Sequence, residues 1–159
     1  MRHTISVLVA NEFGVLSRIA GLFSGRGFNI ESLCVAETLD SKISRMTIVT
    51  RGDDNVLEQI NKQLNKLVSV VKVHDFTGEE CIERELAMIK VSSTPDNRAE
   101  ILSIVDIFRA KVVDVSPKSY TIEITGDEEK LGAIVELFRP FGINEGLLRQ
   151  RRESGEDKV

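Results

Sequence analysis

The chain has 159 residues, 42% of them hydrophobic and 29% charged, which suits a globular protein of one medium domain or two small ones. Its formal net charge of −4 argues against broad electrostatic capture of nucleic acid or of an acidic membrane surface. No apolar run approaches the roughly 18 residues that would span a bilayer, and strand-like patterning starts so near Met1 that no signal peptide is expected.

HTISVLV, from His3 to Val9, alternates Ile5, Val7 and Val9 on one face and predicts a strand. Val15, Leu16, Ile19, Leu22 and Phe23 then recur at helical spacing, with Gly25 and Gly27 placed to close the helix through left-handed backbone angles. Asn29 to Thr38 and Ile43 to Thr50 read as strands joined by the turn-rich LDSK. Beyond them, Asp53 or Asp54 can cap a helix carrying Leu57, Ile60, Leu64 and Leu67. Val70, Val71 and Val73 complete a β-α-β-β-α-β order, the split βαβ unit.

TGEECI, from Thr77 to Ile82, is a polar break that reads as a linker, and the same order then repeats more faintly. Leu86 to Val91 predicts a strand, Ala99 to Phe108 a helix capped near Asp96 or Asn97, and Lys111 to Val115 and Tyr120 to Thr125 two further strands. Leu131, Ile134, Val135 and Phe138 form a helical stripe, and Gly142 to Leu148 a last strand. Gln150 onward, QRRESGEDKV, is charged and apolar-poor and reads as a frayed tail. The expected fold is therefore α+β, two tandem ferredoxin-like βαββαβ domains over residues 1–77 and 78–159.

No reaction centre emerges from this pattern. His3 and His74 sit at strand ends without partners at metal-ligand spacing and read as surface or packing residues. Cys34 and Cys81 are far apart, form no C-x-x-C pair, and lack a basic neighbour that would activate a thiol. Such cysteine usage points to a reducing cytoplasm. Glu79, Glu80, Glu83 and Glu85 read as a solvated linker run, and Glu128 and Glu129 as a helix start. P-loop, dinucleotide-fingerprint and G-x-S-x-G patterns are missing. RNA-binding domains with this topology stack bases on strand aromatics, yet the third strand, ISRMTIVT, contains none. An acylphosphatase-like hydrolase would need an Arg in the first loop, and ANEFG has no basic residue.

The segment from Asn11 to Leu33, NEFGVLSRIAGLFSGRGFNIESL, remains. Gly14 precedes the first helix, where free amides and the helix dipole suit a small carboxylate. Asn11 offers a nearby donor and acceptor, and Asn29 opens an edge strand. On spacing alone an ordinary turn is the better explanation of these residues, because Asn and Gly are common turn formers. Val15, Leu16, Ile19 and Leu22 read there as core.

The run SVLVANEFGVLSRIAGLFSGRGFNIESL, with SRMTIV at Ser44 to Val49, resembles the ACT domain of acetolactate synthase (acetohydroxyacid synthase) small subunits. The resemblance continues through LEQINKQLNKLVSVVKV (Leu57 to Val73), REL (Arg84 to Leu86) and FRAKVVDVSPKSYTIEITG (Phe108 to Gly126). Near its end the chain reads LLRQRRES, where that family carries an Arg-Thr/Ser-Gly element. The resemblance implies a regulatory subunit without catalysis of its own. It implies a catalytic large subunit as partner, activated by this chain and made sensitive to feedback inhibition by a branched-chain amino acid, usually valine. No cofactor is implied for this chain; thiamine diphosphate, magnesium and FAD are implied for the large subunit. The effector is expected between two ACT domains of a homodimer, touching the first strand–helix turn of one copy (Asn11, Gly14, Val15 and Leu16) and the second strand of the other (Asn29 and Ile30). A stand-alone ACT-domain amino-acid sensor acting on another enzyme is the alternative.

Overall fold

The computed structural model describes residues 2–79 and 82–154. The chain divides into two compact units, Met1–Cys81 and Ile82–Val159. In the first, β1 (Arg2–Ala10), α1 (Val15–Ser24), β2 (Ile30–Glu37), β3 (Ile43–Arg51), α2 (Asp54–Leu64) and β4 (Val70–Asp75) follow in the predicted order. The second repeats it as β5 (Ile82–Ser92), α3 (Arg98–Ile107), β6 (Lys111–Val115), β7 (Ser119–Gly126), α4 (Glu128–Phe138) and β8 (Ile143–Ser154). Both sheets are antiparallel with equivalent strand orders, β2-β3-β1-β4 and β6-β7-β5-β8.

Each core is the apolar face of a sheet closed by two helix stripes. In the first unit Ile5, Val7 and Val9 of β1 meet Met46 and Ile48 of β3, under Val15, Ile19 and Phe23 of α1 and Leu57, Ile60 and Leu64 of α2. In the second, Ala87, Ile89 and Val91 take the place of the β1 residues, beneath Ile101, Leu131, Ile134 and Phe138. Asp53 and Asp127 cap α2 and α4, their carboxylates each accepting from a backbone amide at 2.8 Å, Val56 and Lys130 respectively. Each of these helices starts at its cap because the carboxylate satisfies an otherwise orphaned donor.

Several details depart from the sequence expectation. Gly25 keeps a right-handed φ of −64°; only Gly27, with φ 72°, turns left-handed. Bonds from Gly27 N to Ser24 O (3.0 Å) and from Phe28 N to Phe23 O (3.0 Å) make this a Schellman closure, which needs one left-handed residue, not two. Asn97 occupies the position before α3 without capping it. Its Oδ1 accepts instead from Thr94 N at 2.8 Å, holding the preceding turn.

Strand β5 starts four residues before the expected Leu86 and takes in Glu83 and Glu85. Glu85 is buried, so it is not the solvated linker residue its neighbours suggested; pairing with β8 from Ile82 onward, joined by β7 from Glu85, carries the strand through a charged stretch. Glu79 lies 2.9 Å from His74 Nε2, while Glu80 and Cys81 lie outside the described residues. Likewise β8 runs on through Arg149–Arg152 to Ser154, paired with β5 down to Ile82, so 150–154 are strand and not tail. Charged residues suit an edge strand, which is why composition alone read as fraying. Residues 155–159 lie outside the described residues.

His3 is buried, its ring 3.1 Å from Thr77 Oγ1 at Nδ1 and 3.1 Å from Gly52 O at Nε2. Since a carbonyl can only accept, Nε2 donates to Gly52 O. The residue thus ties the start of β1 to two loops. Packing was the right expectation for it and surface exposure was not.

Candidate functional site

Strand β1 ends at Ala10, and the chain reaches α1 through Asn11–Gly14. Gly14 has φ 81° and ψ −6°, and no side chain caps the helix it precedes. A Cβ at Gly14 would meet nothing within 4 Å; glycine is favoured there by the left-handed backbone, not by crowding. The amides at the start of α1 are thereby left without a side-chain acceptor, and the helix dipole adds a partial positive charge. This arrangement suits a carboxylate.

The turn is held from both sides. Asn11 N donates to Lys42 O at 2.8 Å, and Ala10 N to Ser69 O at 2.8 Å. Asn11 Nδ2 donates to Glu37 Oε1 at 3.0 Å and to Ser41 O at 2.9 Å. The amide hydrogens of Asn11 are therefore committed to the β2–β3 hairpin, leaving its side-chain carbonyl for a ligand. Glu37 and Ser41, which no sequence signal marked, set the orientation of Asn11. Val15 is buried in the core, while Leu16 is 44% exposed.

Asn29 and Ile30 stand elsewhere. Asn29 is exposed and accepts from Thr50 Oγ1 through its carbonyl at 2.7 Å. Ile30 packs against the core and pairs with Thr50, which on its other side pairs with His3 at the start of β1. The Gly14 turn lies beyond the far end of β1, level with Ile43 and so with the end of β2 at Glu37. Because β1 and β2 are both antiparallel to β3, they run parallel to each other. One copy of the chain thus holds Asn11, Gly14, Val15 and Leu16 at one end of the sheet and Asn29 and Ile30 at the other. The length of β2 separates them, about 25 Å at the usual rise per residue. Between them β2 is an edge strand, with Leu33 and Val35 38% and 40% exposed.

Beside Val15 lies a recess of about 240 Å³ lined by Val15, Arg18, Lys66, Leu67, Val68, Ser69 and Val70. Sequence reasoning did not find it, since Leu67 read as one more residue of the α2 stripe. In fact α2 stops at Leu64, and the connection to β4 folds back over α1. Cys34 is a half-buried free thiol on β2. His74 stacks edge-on against Phe76 with ring centroids 4.5 Å apart. Among the described residues no three His, Cys, Asp or Glu side chains cluster as metal ligands would, and no helix is long and apolar enough to cross a membrane.

Comparison with known proteins covers both units. Residues 5–72 match the family described as an AHAS small subunit-like ACT domain, and residues 84–147 match the small subunit of acetolactate synthase. The chain is 55% identical over 145 residues to a probable acetolactate synthase small subunit from Archaeoglobus fulgidus, covering 91% of each chain. It is 56% identical over 158 residues to the acetolactate synthase small subunit of Aquifex aeolicus, covering 96% of this chain and 82% of that one. The crystal structure of the acetolactate synthase small subunit from Thermotoga maritima superposes with a TM-score of 0.89 at 40% identity, over 100% of this chain and 99% of that one.

Proposed function

The chain belongs to the family of acetolactate synthase small subunits, the regulatory subunits of that enzyme, and we propose that it senses valine at a site shared by two copies of its N-terminal unit. The observation that carries this reading is the separation of the Gly14 turn from Asn29 along edge strand β2. A two-fold axis pairing β2 antiparallel with its mate near Leu33 and Cys34 brings Ile30 of each copy opposite Glu37 of the other. Asn29 of one copy then approaches the Asn11–Gly14 turn of its partner, and the two halves of the site meet. The same pairing satisfies the open backbone groups of the edge and covers Leu33 and Val35.

In such a site the valine carboxylate meets the uncapped amides at the start of α1. Its ammonium meets carbonyl acceptors, the free Asn11 oxygen among them. Burying the isopropyl group contributes roughly 1.5–3 kcal/mol. A methylene separates valine from leucine or isoleucine by only about 1–3 kcal/mol, so selectivity among the three is incomplete. Valine regulates the complex only as far as it binds the active and inhibited assemblies differently, typically by about 1–3 kcal/mol. Thiamine diphosphate, magnesium and FAD we assign to the catalytic large subunit, which this chain activates. The match of the second unit to the small-subunit family favours that partner over a free-standing sensor role.

Reconstitution tests the proposal. Mixed with its large subunit, the chain should co-purify with it and raise its synthase activity, and added valine should reverse that gain. Valine should also raise the melting temperature of the chain alone. Stimulation that persists at saturating valine, with no thermal shift, would sink the effector assignment while leaving the family membership intact.

A further inference from the structure

We propose that the recess beside α1 is a second ligand site, taking a small monocarboxylate with an apolar body and no ammonium group, of the 2-oxo or 2-hydroxy acid class. Its volume of about 240 Å³ lies below the roughly 300–1,000 Å³ of pockets that hold drug-sized molecules. The occupant is therefore a small metabolite. Val15, Leu67 and Val70 supply apolar surface that belongs to or packs against the core, while Arg18 and Lys66 are exposed at the mouth.

The charges of the lining select the ligand. It contains two cations and no carboxylate. Neither cation has a carboxylate partner among the described residues. The guanidinium of Arg18 makes one long contact, Nη1 to Ser69 Oγ at 3.4 Å, so most of its five donors stay available. An anion placed between Arg18 and Lys66 gains charge-assisted hydrogen bonds from both. An ammonium group would face the same two cations with no acidic acceptor, so a zwitterionic amino acid is disfavoured where its deaminated counterpart is not. Inorganic phosphate would satisfy the cations yet leave the apolar lining unused.

The recess also touches the effector turn. Val15, the first residue of α1, lines it, and Ser69 O accepts from Ala10 N just before the turn. A ligand held there braces the Ala10–Val15 segment from the side opposite the β2–β3 hairpin, so its occupancy couples to whatever the turn binds.

The test is an NMR titration of the full-length ¹⁵N-labelled chain with 3-methyl-2-oxobutanoate, the deaminated counterpart of valine. Valine and inorganic phosphate form separate arms. The oxo acid should shift the amides of Arg18 and Lys66–Val70 saturably, and Arg18→Gln with Lys66→Gln should weaken it about tenfold. Both side chains are exposed, so the double variant should melt near the parent temperature and keep the valine response at Gly14 and Asn29. Binding of the oxo acid at the recess with valine binding nowhere supports this site and removes the effector reading. The proposal is overturned if phosphate binds the recess as tightly as the oxo acid, if valine does so, or if the oxo acid gives no saturable shift there below about 10 mM.

Discussion

Replacing Gly14 separates the backbone requirement of the effector turn from its electrostatic one. At φ 81° any residue with a Cβ is strained, by roughly 1–2 kcal/mol for alanine. The open space around that Cβ means no steric term is added. Aspartate tolerates the left-handed region better than alanine, and at this position its carboxylate can cap the uncapped helix, an effect of about 1 kcal/mol. Gly14→Asp should therefore fold at least as stably as Gly14→Ala. Binding should go the other way. A carboxylate at the helix start occupies the amides that valine needs and repels the ligand's own charge, by about 1 kcal/mol at 4 Å in water and about 4 kcal/mol in a half-screened protein site. The turn is exposed in a single copy and covered where a second copy completes the site, so at least the lower end of that range applies, a loss of about five-fold or more in affinity. Urea denaturation of both variants beside calorimetric titration with valine reads the two effects separately. An aspartate variant that binds valine with the parent's affinity refutes the assignment of the carboxylate to this helix start.

Asn11→Ala removes two hydrogen bonds to the hairpin and should lower the stability of the first unit by about 0.5–1.5 kcal/mol each, discounted for their exposure. Asn11→Asp should be worse, since it faces the Glu37 carboxylate without a donor; equal denaturation midpoints for the two variants would show that the Glu37 contact is not formed in solution. Asp53→Ala and Asp127→Ala each remove one helix cap and should each cost about 1 kcal/mol. Hydrogen exchange should report the first loss in α2 and the second in α4, because each cap serves a core of its own.

Element order was legible from periodicity. Alternation in Ile5, Val7 and Val9 and the helical spacing of Leu57, Ile60 and Leu64 reflect burial on one face of each element, and one-sided burial is a local property of sequence. The cap at Asp53 was legible for the same reason, since donor and acceptor lie three residues apart. Glu85 and the strand from Arg149 to Ser154 were not legible. Their charge speaks for solvent, and only pairing between β5 and the distant strands β7 and β8 overrules it.

The site divides along the same line. Sequence by itself determined that Gly14 precedes a helix with no capping side chain, and that the pattern around it belongs to a family of small subunits. Tertiary structure decided the rest. It turned the Asn11 amide into the hairpin against Glu37 and Ser41, and it folded Lys66–Val70 over α1 to open a cationic recess. The residues in each of those contacts lie tens of positions apart in the chain. No spacing rule can register them, because the distances that matter are set by strand register and helix packing.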